Sequence, residues 1–272
     1  MCGIAGILRI HDPEDGPPPH PLEAIPEAWL DILDESIKHR GPDGQGRFRD
    51  RATREDGTVV DVAFVHRRLS IIDHEGGRQP MVHDGRRLRP DLTYQPGEAP
   101  KLAHELAPAD ESPELVAVVF NGCIYNHREL RAELEAQGRL FETDHSDTEV
   151  LTHGYRAWGL RVPGRIDAMH AAGLWSLAGG EFALSRDNAG EKPVHTREIE
   201  IGDRRVFAFA SSVPGLIGLD GLVEATVSPL DAREVMRWLR MGWDEGSPDF
   251  NGGELPPGEV HGLRVHTSGQ GA

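Results

Sequence analysis

A layered α+β domain is the fold that this sequence of 272 residues predicts. Three observations lead there. Short strand candidates crowd together at 173–177, 181–185, 198–201 and 205–210. Helical stretches with one apolar face precede them at 26–39, 127–137 and 147–158. No internal repeat and no linker-like stretch divides the chain, so many strands share one body with a few flanking helices. One domain over 1–272 is therefore expected.

The elements follow in order. Residues 2–10 form a short apolar run that reads as a strand and ends in the proline-rich loop 11–21. Pro26 suits a helix first turn, and Trp29, Leu30, Leu33 and Ile37 recur at helical spacing until Gly41. Residues 59–65 and 69–72 read as two strands separated by the polar trio His66-Arg67-Arg68. From 84 to 114 the chain is rich in Pro, Asp, Glu and Arg with no sustained period, and reads as a long surface insertion. Residues 115–120 are a continuous apolar strand that runs into Asn121-Gly122-Cys123, where Asn-Gly reads as a tight turn. The helix 127–137 is closed by Gly138, and the helix 147–158 is opened by Ser146 or Asp147 and closed by Gly159. A last helix is expected at 231–241 and a last strand at 259–266.

Composition narrows the function. Hydrophobic residues make up 38% and charged residues 27%, which is too apolar for disorder and ordinary for a globular protein. The net charge of −16 repels polyanions, so neither nucleic acid nor an anionic membrane surface is an expected partner. No stretch reaches the roughly eighteen apolar residues of a membrane span. The N-terminus lacks a basic region and turns polar at Arg9, which makes a poor signal peptide. Two cysteines, Cys2 and Cys123, do not suggest a disulfide-stapled scaffold, and the expected compartment is the cytoplasm. The 14 histidines form no His-Glu-x-x-His pattern, two distant cysteines cannot build a usual zinc cage, and no phosphate loop occurs. No metal and no cofactor are expected.

Cys2 is the sharpest single feature. If Met1 is removed, Cys2 becomes the N-terminal residue and carries a thiol beside its own α-amine. Such an amine titrates near ~8 and can take a thiol proton at neutral pH. Position alone leaves a second use open, that of a small buried residue on a strand.

Further segments bear on the choice. They are Met1-Cys2-Gly3-Ile4-Ala5-Gly6-Ile7, His39-Arg40-Gly41-Pro42-Asp43-Gly44 and His66-Arg67-Arg68-Leu69-Ser70-Ile71-Ile72-Asp73. Gln79-Pro80-Met81, Val119-Phe120-Asn121-Gly122-Cys123-Ile124-Tyr125-Asn126 and Ser146-Asp147-Thr148-Glu149 follow. Then come Ser185-Arg186-Asp187, Gly190-Glu191-Lys192-Pro193 and Leu255-Pro256-Pro257-Gly258. In these segments, colinear from residue 1 to about 265, the chain resembles the class II glutamine amidotransferases, N-terminal-nucleophile hydrolases. The resemblance is to the glutaminase domain of glutamine-hydrolysing asparagine synthetases in particular.

The resemblance implies a four-layer α/β/β/α sandwich and a set of roles. Cys2 would attack the side-chain amide of glutamine, forming a glutamyl thioester and releasing ammonia. The Asn121 side-chain amide and the Gly122 backbone N–H would face the oxyanion, where one lost donor costs ~3 kcal/mol of barrier. Arg68 matches the arginine that binds the substrate carboxylate with a two-donor fork. Asp147 matches the acid that holds the α-ammonium. Backbone groups of Ile71 and Ile72 would also contact substrate. Arg40 and Asp43 lie in a motif that either shapes the pocket wall or forms a structural salt bridge, and Ser185-Arg186-Asp187 would stabilise strand ends and the face toward a partner.

Three departures accompany the resemblance. The synthetases continue into an ATP-pyrophosphatase domain with a Ser-Gly-Gly-x-Asp-Ser loop, which residues 1–272 lack. Cys123 stands where the family motif has Glu, near the bound ammonium, and His195 where an aromatic residue is usual. The favoured expectation is a glutaminase subunit that delivers ammonia to a separate synthetase or amidating partner. An amide hydrolase for another small amide and a non-catalytic module that keeps the fold are the alternatives.

Overall fold

The computed structural model of the chain describes residues 1–70, 77–107, 114–201, 204–220, 252–254 and 260–263. Two antiparallel sheets are built from β1 (Gly3–His11), β2 (Gly44–Thr53), β3 (Val59–Arg68), β4 (Met81–His83), β5 (Thr93–Tyr94), β6 (Val116–Ile124), β7 (Ala168–Ser176), β8 (Glu181–Arg186), β9 (His195–Ile201), β10 (Arg204–Ala210), β11 (Gly252–Glu254) and β12 (Val260–Leu263). The larger sheet runs β11-β9-β10-β1-β3-β2-β5 and the smaller β12-β8-β7-β6-β4. The helices are α1 (Pro21–Ala24), α2 (Glu27–Ile37), α3 (Ala103–Leu106), α4 (His127–Ala136), α5 (Asp147–Trp158) and α6 (Val213–Asp220).

Three apolar layers separate the elements. Ile4, Leu8, Phe48, Val62 and Phe64 of the larger sheet meet Ala117, Val119, Trp175 and Phe182 of the smaller one in a core between the sheets. Ala5, Ile7, Ala63 and Val65, the alternate residues of β1 and β3, face Leu30, Leu33 and Ile37 of α2 and Leu216 of α6. Val116, Val118 and Phe120 of β6 face Leu130 and Leu134 of α4 and Val150 and Leu151 of α5. The result is helices, sheet, sheet, helices: the four-layer sandwich expected.

Several expectations need correction. β3 continues through His66-Arg67-Arg68, because Arg67 is paired with Asp34 of α2 and need not reach water. Residues 71 and 72 lie outside the described residues. Asn121-Gly122 is not a turn: both residues sit inside β6, opposite Ala171 and His170 of β7. The turn falls later, at Tyr125–Asn126. The stretch 84–107 is no mere surface chain, since it contributes β5 and α3 and places Leu92, Ala103 and Ala107 in the inter-sheet core. The helix expected at 231–241 lies outside the described residues, as does Leu255-Pro256-Pro257-Gly258, while β12 falls within the expected strand 259–266.

The strand β2 was not foreseen. Its sequence GQGRFRDRAT reads as polar, yet Arg47 and Arg49 are 1% and 2% exposed. Arg47 pairs with Glu27 and Asp34 of α2, and Arg49 pairs with Glu27 at 2.8 Å and donates to the Tyr94 hydroxyl at 2.7 Å. On the other face Phe48 and Ala52 pack into the core, and Asp50 accepts the Trp175 indole N–H at 2.6 Å.

Candidate active site

Period-two alternation assembles the site. Ile4 and Leu8 of β1 face the inter-sheet core, so Cys2, just before β1, projects from that same face. Phe64 of β3 faces it too, which puts His66 and Arg68 in line. On β6, Ala117 and Val119 share that face with Asn121 and Cys123. Three strands thus deliver their side chains to one end of the sandwich, where a cavity of about 230 Å³ opens. Cys2, Arg68, Asn121, Gly122, Cys123 and Asp147 all line it.

The Cys2 sulfur lies against the chain that leaves β3. The Leu69 N–H donates to Sγ at 3.4 Å, and the Leu69 carbonyl lies 3.6 Å from it. Arg40 donates from Nε to the Cys2 carbonyl and from Nη1 to the Ser211 carbonyl, each at 3.3 Å, which fixes the strand end. Gly41 lets this turn press on β3, since a Cβ there would meet the Arg67 carbonyl carbon at 2.3 Å. Asp43 does not pair with Arg40. Its N–H donates to the Arg68 carbonyl at 2.9 Å, and its carboxylate accepts the Ser70 N–H at 2.8 Å.

In the same cavity Asn121 is 2% exposed, and its Nδ2 has no hydrogen-bond partner among the described residues. A buried amide donor left idle beside a cavity is uncommon, because most such groups find a partner. Gly122 follows, and only glycine fits: a Cβ would sit 2.2 Å from the Met169 carbonyl oxygen. Asp147, first residue of α5, accepts the Ile124 N–H at 3.0 Å. Burial pushes its carboxyl above the ordinary range, against that bond and the charge of His127. Burial and the Asp147 charge push the Cys123 thiol up, so it is neutral near pH 7, although Lys192 acts in the opposite sense. A thiol, unused amide donors and charges of both signs in one cavity suit attack on the carbonyl of a small polar amide.

Comparison with known proteins agrees. The model of a family described as "Glutamine amidotransferase domain" matches residues 1–95 and 104–267. The chain belongs to the class II glutamine amidotransferases. Asparagine synthetase [glutamine-hydrolyzing] 1 of Bacillus subtilis is 34% identical over 195 residues, covering 72% of this chain and 24% of that protein. Asparagine synthetase [glutamine-hydrolyzing] 2 of Oryza sativa subsp. japonica is 28% identical over 195 residues, covering 72% and 25%. The chain therefore spans about a quarter of the length of these relatives. Among solved structures, the glutamine phosphoribosylpyrophosphate amidotransferase from B. subtilis is 19% identical, with a TM-score of 0.46 over 79% of this chain and 43% of that one.

Within this amidotransferase cavity, sequence reasoning passed over two residues. Gln79 bridges the wall, accepting the Phe120 N–H at 2.6 Å and donating to the Thr148 hydroxyl at 3.3 Å. Lys192 brings a second cation to the lining. Both stand inside quoted motifs, but nothing in the sequence shows which way they point. Ile71 and Ile72 lie outside the described residues, so the structure does not place them.

A second cluster lies under α5. Ligand atoms of His83, Glu149 and His153 lie within 4.8 Å of one another, all buried. Arg156, which can only donate, points Nη1 at His83 Nδ1 at 3.0 Å and at His153 Nδ1 at 3.5 Å. The Gly85 N–H donates to His83 Nδ1 as well, at 3.0 Å. Neutral rings that accept at Nδ1 carry their proton on Nε2, whereas a metal-bound imidazole usually donates its second N–H. The Nδ1 atoms are thus engaged by donors, while Nε2 of both rings has no hydrogen-bond partner among the described residues. Among the described residues no helix is long and apolar enough to cross a membrane.

Proposed function

We propose that residues 1–272 form one glutaminase domain, which hydrolyses glutamine to glutamate and ammonia in the cytoplasm once Met1 has been removed. The α-amine of Cys2 takes the thiol proton, and Sγ attacks the side-chain amide carbon. The tetrahedral oxyanion is met by Asn121 Nδ2 and the Gly122 N–H. Its collapse expels ammonia with the proton from the amine and leaves a glutamyl thioester, which water cleaves to glutamate. Arg68 holds the substrate carboxylate and Asp147 its ammonium, while Cys123 and the backbone at Ile71 and Ile72 complete the head-group pocket. No cofactor enters these steps.

The observation that carries this reading is the idle, buried Nδ2 of Asn121 in the same cavity as the Cys2 thiol. His66, on the same face of β3, is a poor competing base, because burial lowers its pKa to about 3. That the relatives are glutamine-hydrolysing asparagine synthetases supports an acceptor in asparagine biosynthesis. On this reading the ammonia passes to a separate amidating partner, such as an asparagine-synthetase-like subunit.

The test is glutamate release from glutamine by purified chain that begins at Cys2, without ATP and with a chelator present. Activity is expected, and Cys2→Ala should abolish it while leaving the melting temperature unchanged. Full activity in chain that retains Met1, or turnover that survives Cys2→Ala, would end the assignment. An amidated product should form only when the partner is added.

A further inference from the structure

Lys192 is only 8% exposed, yet it lines the cavity. Its ammonium touches the Met1 sulfur at 3.6 Å, and among the described residues no acid stands within ion-pair distance of it. A buried cation without a counter-ion is costly, so it is seldom kept without a use. The loop that carries it is firmly built. Asp187 accepts the N–H groups of His170, Ala189, Glu191 and Lys192 at 2.8–3.1 Å. Arg186 donates to the Lys192 carbonyl at 2.9 Å and to the Gly190 carbonyl at 2.6 Å. The Ser185-Arg186-Asp187 motif thus serves to place Lys192.

The Met1 sulfur is five bonds from the Cys2 nitrogen, a reach of at most about 6.5 Å. Added to the 3.6 Å contact, this puts the Lys192 ammonium within roughly 10 Å of that nitrogen. Among the described residues the other charges around Cys2 are Arg40 from the 38–40 turn, Arg68 from β3, Asp43 at the Ser70 N–H and Asp147 from α5. Both signs of charge thus stand around Cys2 among the described residues, with the Cys123 thiol neutral.

We propose that Lys192 is a positioning residue for the nucleophile: once Met1 has gone, its ammonium keeps the new α-amine of Cys2 in the free-base form that accepts the thiol proton. The proposal rests on the reading of Cys2 as an N-terminal nucleophile. A second positive charge on the amine is disfavoured by the first, while the Sγ thiolate is favoured by it. At about 10 Å and an effective dielectric of roughly 20–40, the amine should titrate about half to one pH unit lower than without Lys192.

The experiment compares wild type, Lys192→Met and Lys192→Arg, all beginning at Cys2. Two readouts are taken: the pH profile of kcat/KM for glutamine, and the Cys2 Cα shift in protein labelled with 13C-cysteine. Cys123→Ser assigns the second signal. In Lys192→Met both the acid limb and the Cα titration should move up by roughly half to one pH unit. Activity on the acid limb then falls about three- to tenfold, while the alkaline plateau holds. Lys192→Arg should restore both. An unmoved Cα titration, or a loss equal at every pH, would overturn the proposal. If the titration moves as expected but wild type releases no glutamate, the glutamine reading fails and the role of Lys192 stands.

Discussion

The buried arginines of β2 and the polar groups of the Cys2 cavity are treated in opposite ways. Arg47 and Arg49 each reach acids of α2, so their charges are compensated within the fold, although Nε of Arg47 has no partner among the described residues. Among the described residues Asn121 Nδ2 is buried with nothing to bond, and the Lys192 ammonium meets a thioether and no acid. An unsatisfied buried group costs about 1–3 kcal/mol, so a fold keeps one where something absent from the free protein uses it. The contrast sets charges that hold the sandwich together apart from polar groups that, on the proposed reading, a ligand would use.

The largest expected effect breaks the compensated side. Asp34 is 4% exposed and binds Arg47 at 3.1 Å and Arg67 at 2.8 Å. Asp34→Ala takes from Arg67 the acid it pairs with and leaves Arg47 with Glu27 and Asp31, and should cost about 3–5 kcal/mol, or roughly 10 °C in melting temperature. Glutamine KM of the folded fraction should not change. A stable variant with a raised KM would mean that this network belongs to the site.

The same contrast explains what could be read from the sequence. Helix α5 was legible to the residue, as 147–158, because its apolar spacing and flanking Ser146 and Gly159 agree. The strand β1 was legible because it is apolar on both faces. β2 was hidden because hydropathy treats arginine as exposed, and the acids that permit its burial lie some twenty residues earlier on α2. Cys2, Arg68, Asn121, Gly122, Cys123 and Asp147 were all named from motifs, and the structure gathers them in one cavity. Asn121-Gly122 was misassigned locally, since turn chemistry and a tight strand crossing ask for the same glycine. Lys192 was missed because its significance lies in lacking a counter-ion, which no linear pattern records.

The next effect falls on the uncompensated side. Asn121→Ala removes a donor with no bond in the free protein, so its melting temperature should stay close to wild type. Glutaminase kcat should drop by about 10²–10³ with little change in KM, as expected for a contact made in the transition state. A large loss of stability with a modest loss of kcat would make Asn121 a structural residue.

Acid sharpens the comparison further. Burial holds His66 at a pKa of about 3, and burial with the Arg156 charge holds His83 at about 4, both below the ordinary 6.5. Between these values and 6.5 the unfolded chain binds more protons than the native one. Each histidine then contributes stability that is full above pH 6.5 and declines below it, by up to about 1.4 kcal/mol per pH unit. Urea midpoints measured from pH 7.5 to 5 should therefore fall, and His83→Gln should flatten the slope. A slope unchanged by that substitution would place the titrating groups elsewhere.

The smallest effect concerns Cys123, a neutral thiol that shares the cavity lining with Asp147 and Lys192. On the proposed reading the substrate ammonium lies here with only Asp147 to hold it. Cys123→Glu supplies a second acid, and a charge-assisted hydrogen bond of about 1.5–3 kcal/mol becomes available to the ammonium. Part of that gain is diverted, because the new carboxylate also faces Lys192. A severalfold drop in glutamine KM is the expected net result, with kcat at alkaline pH unchanged because the ammonium is remote from the breaking bond. The new acid should also raise the acid limb of kcat/KM, since it offsets the charge that disfavours protonation of the Cys2 amine. A KM that stays level while the limb moves would show that Glu at 123 pairs with Lys192 and leaves the clamp to Asp147. A KM that rises would mean that the pocket has been reshaped around the thiol for a head group other than the free ammonium of glutamine.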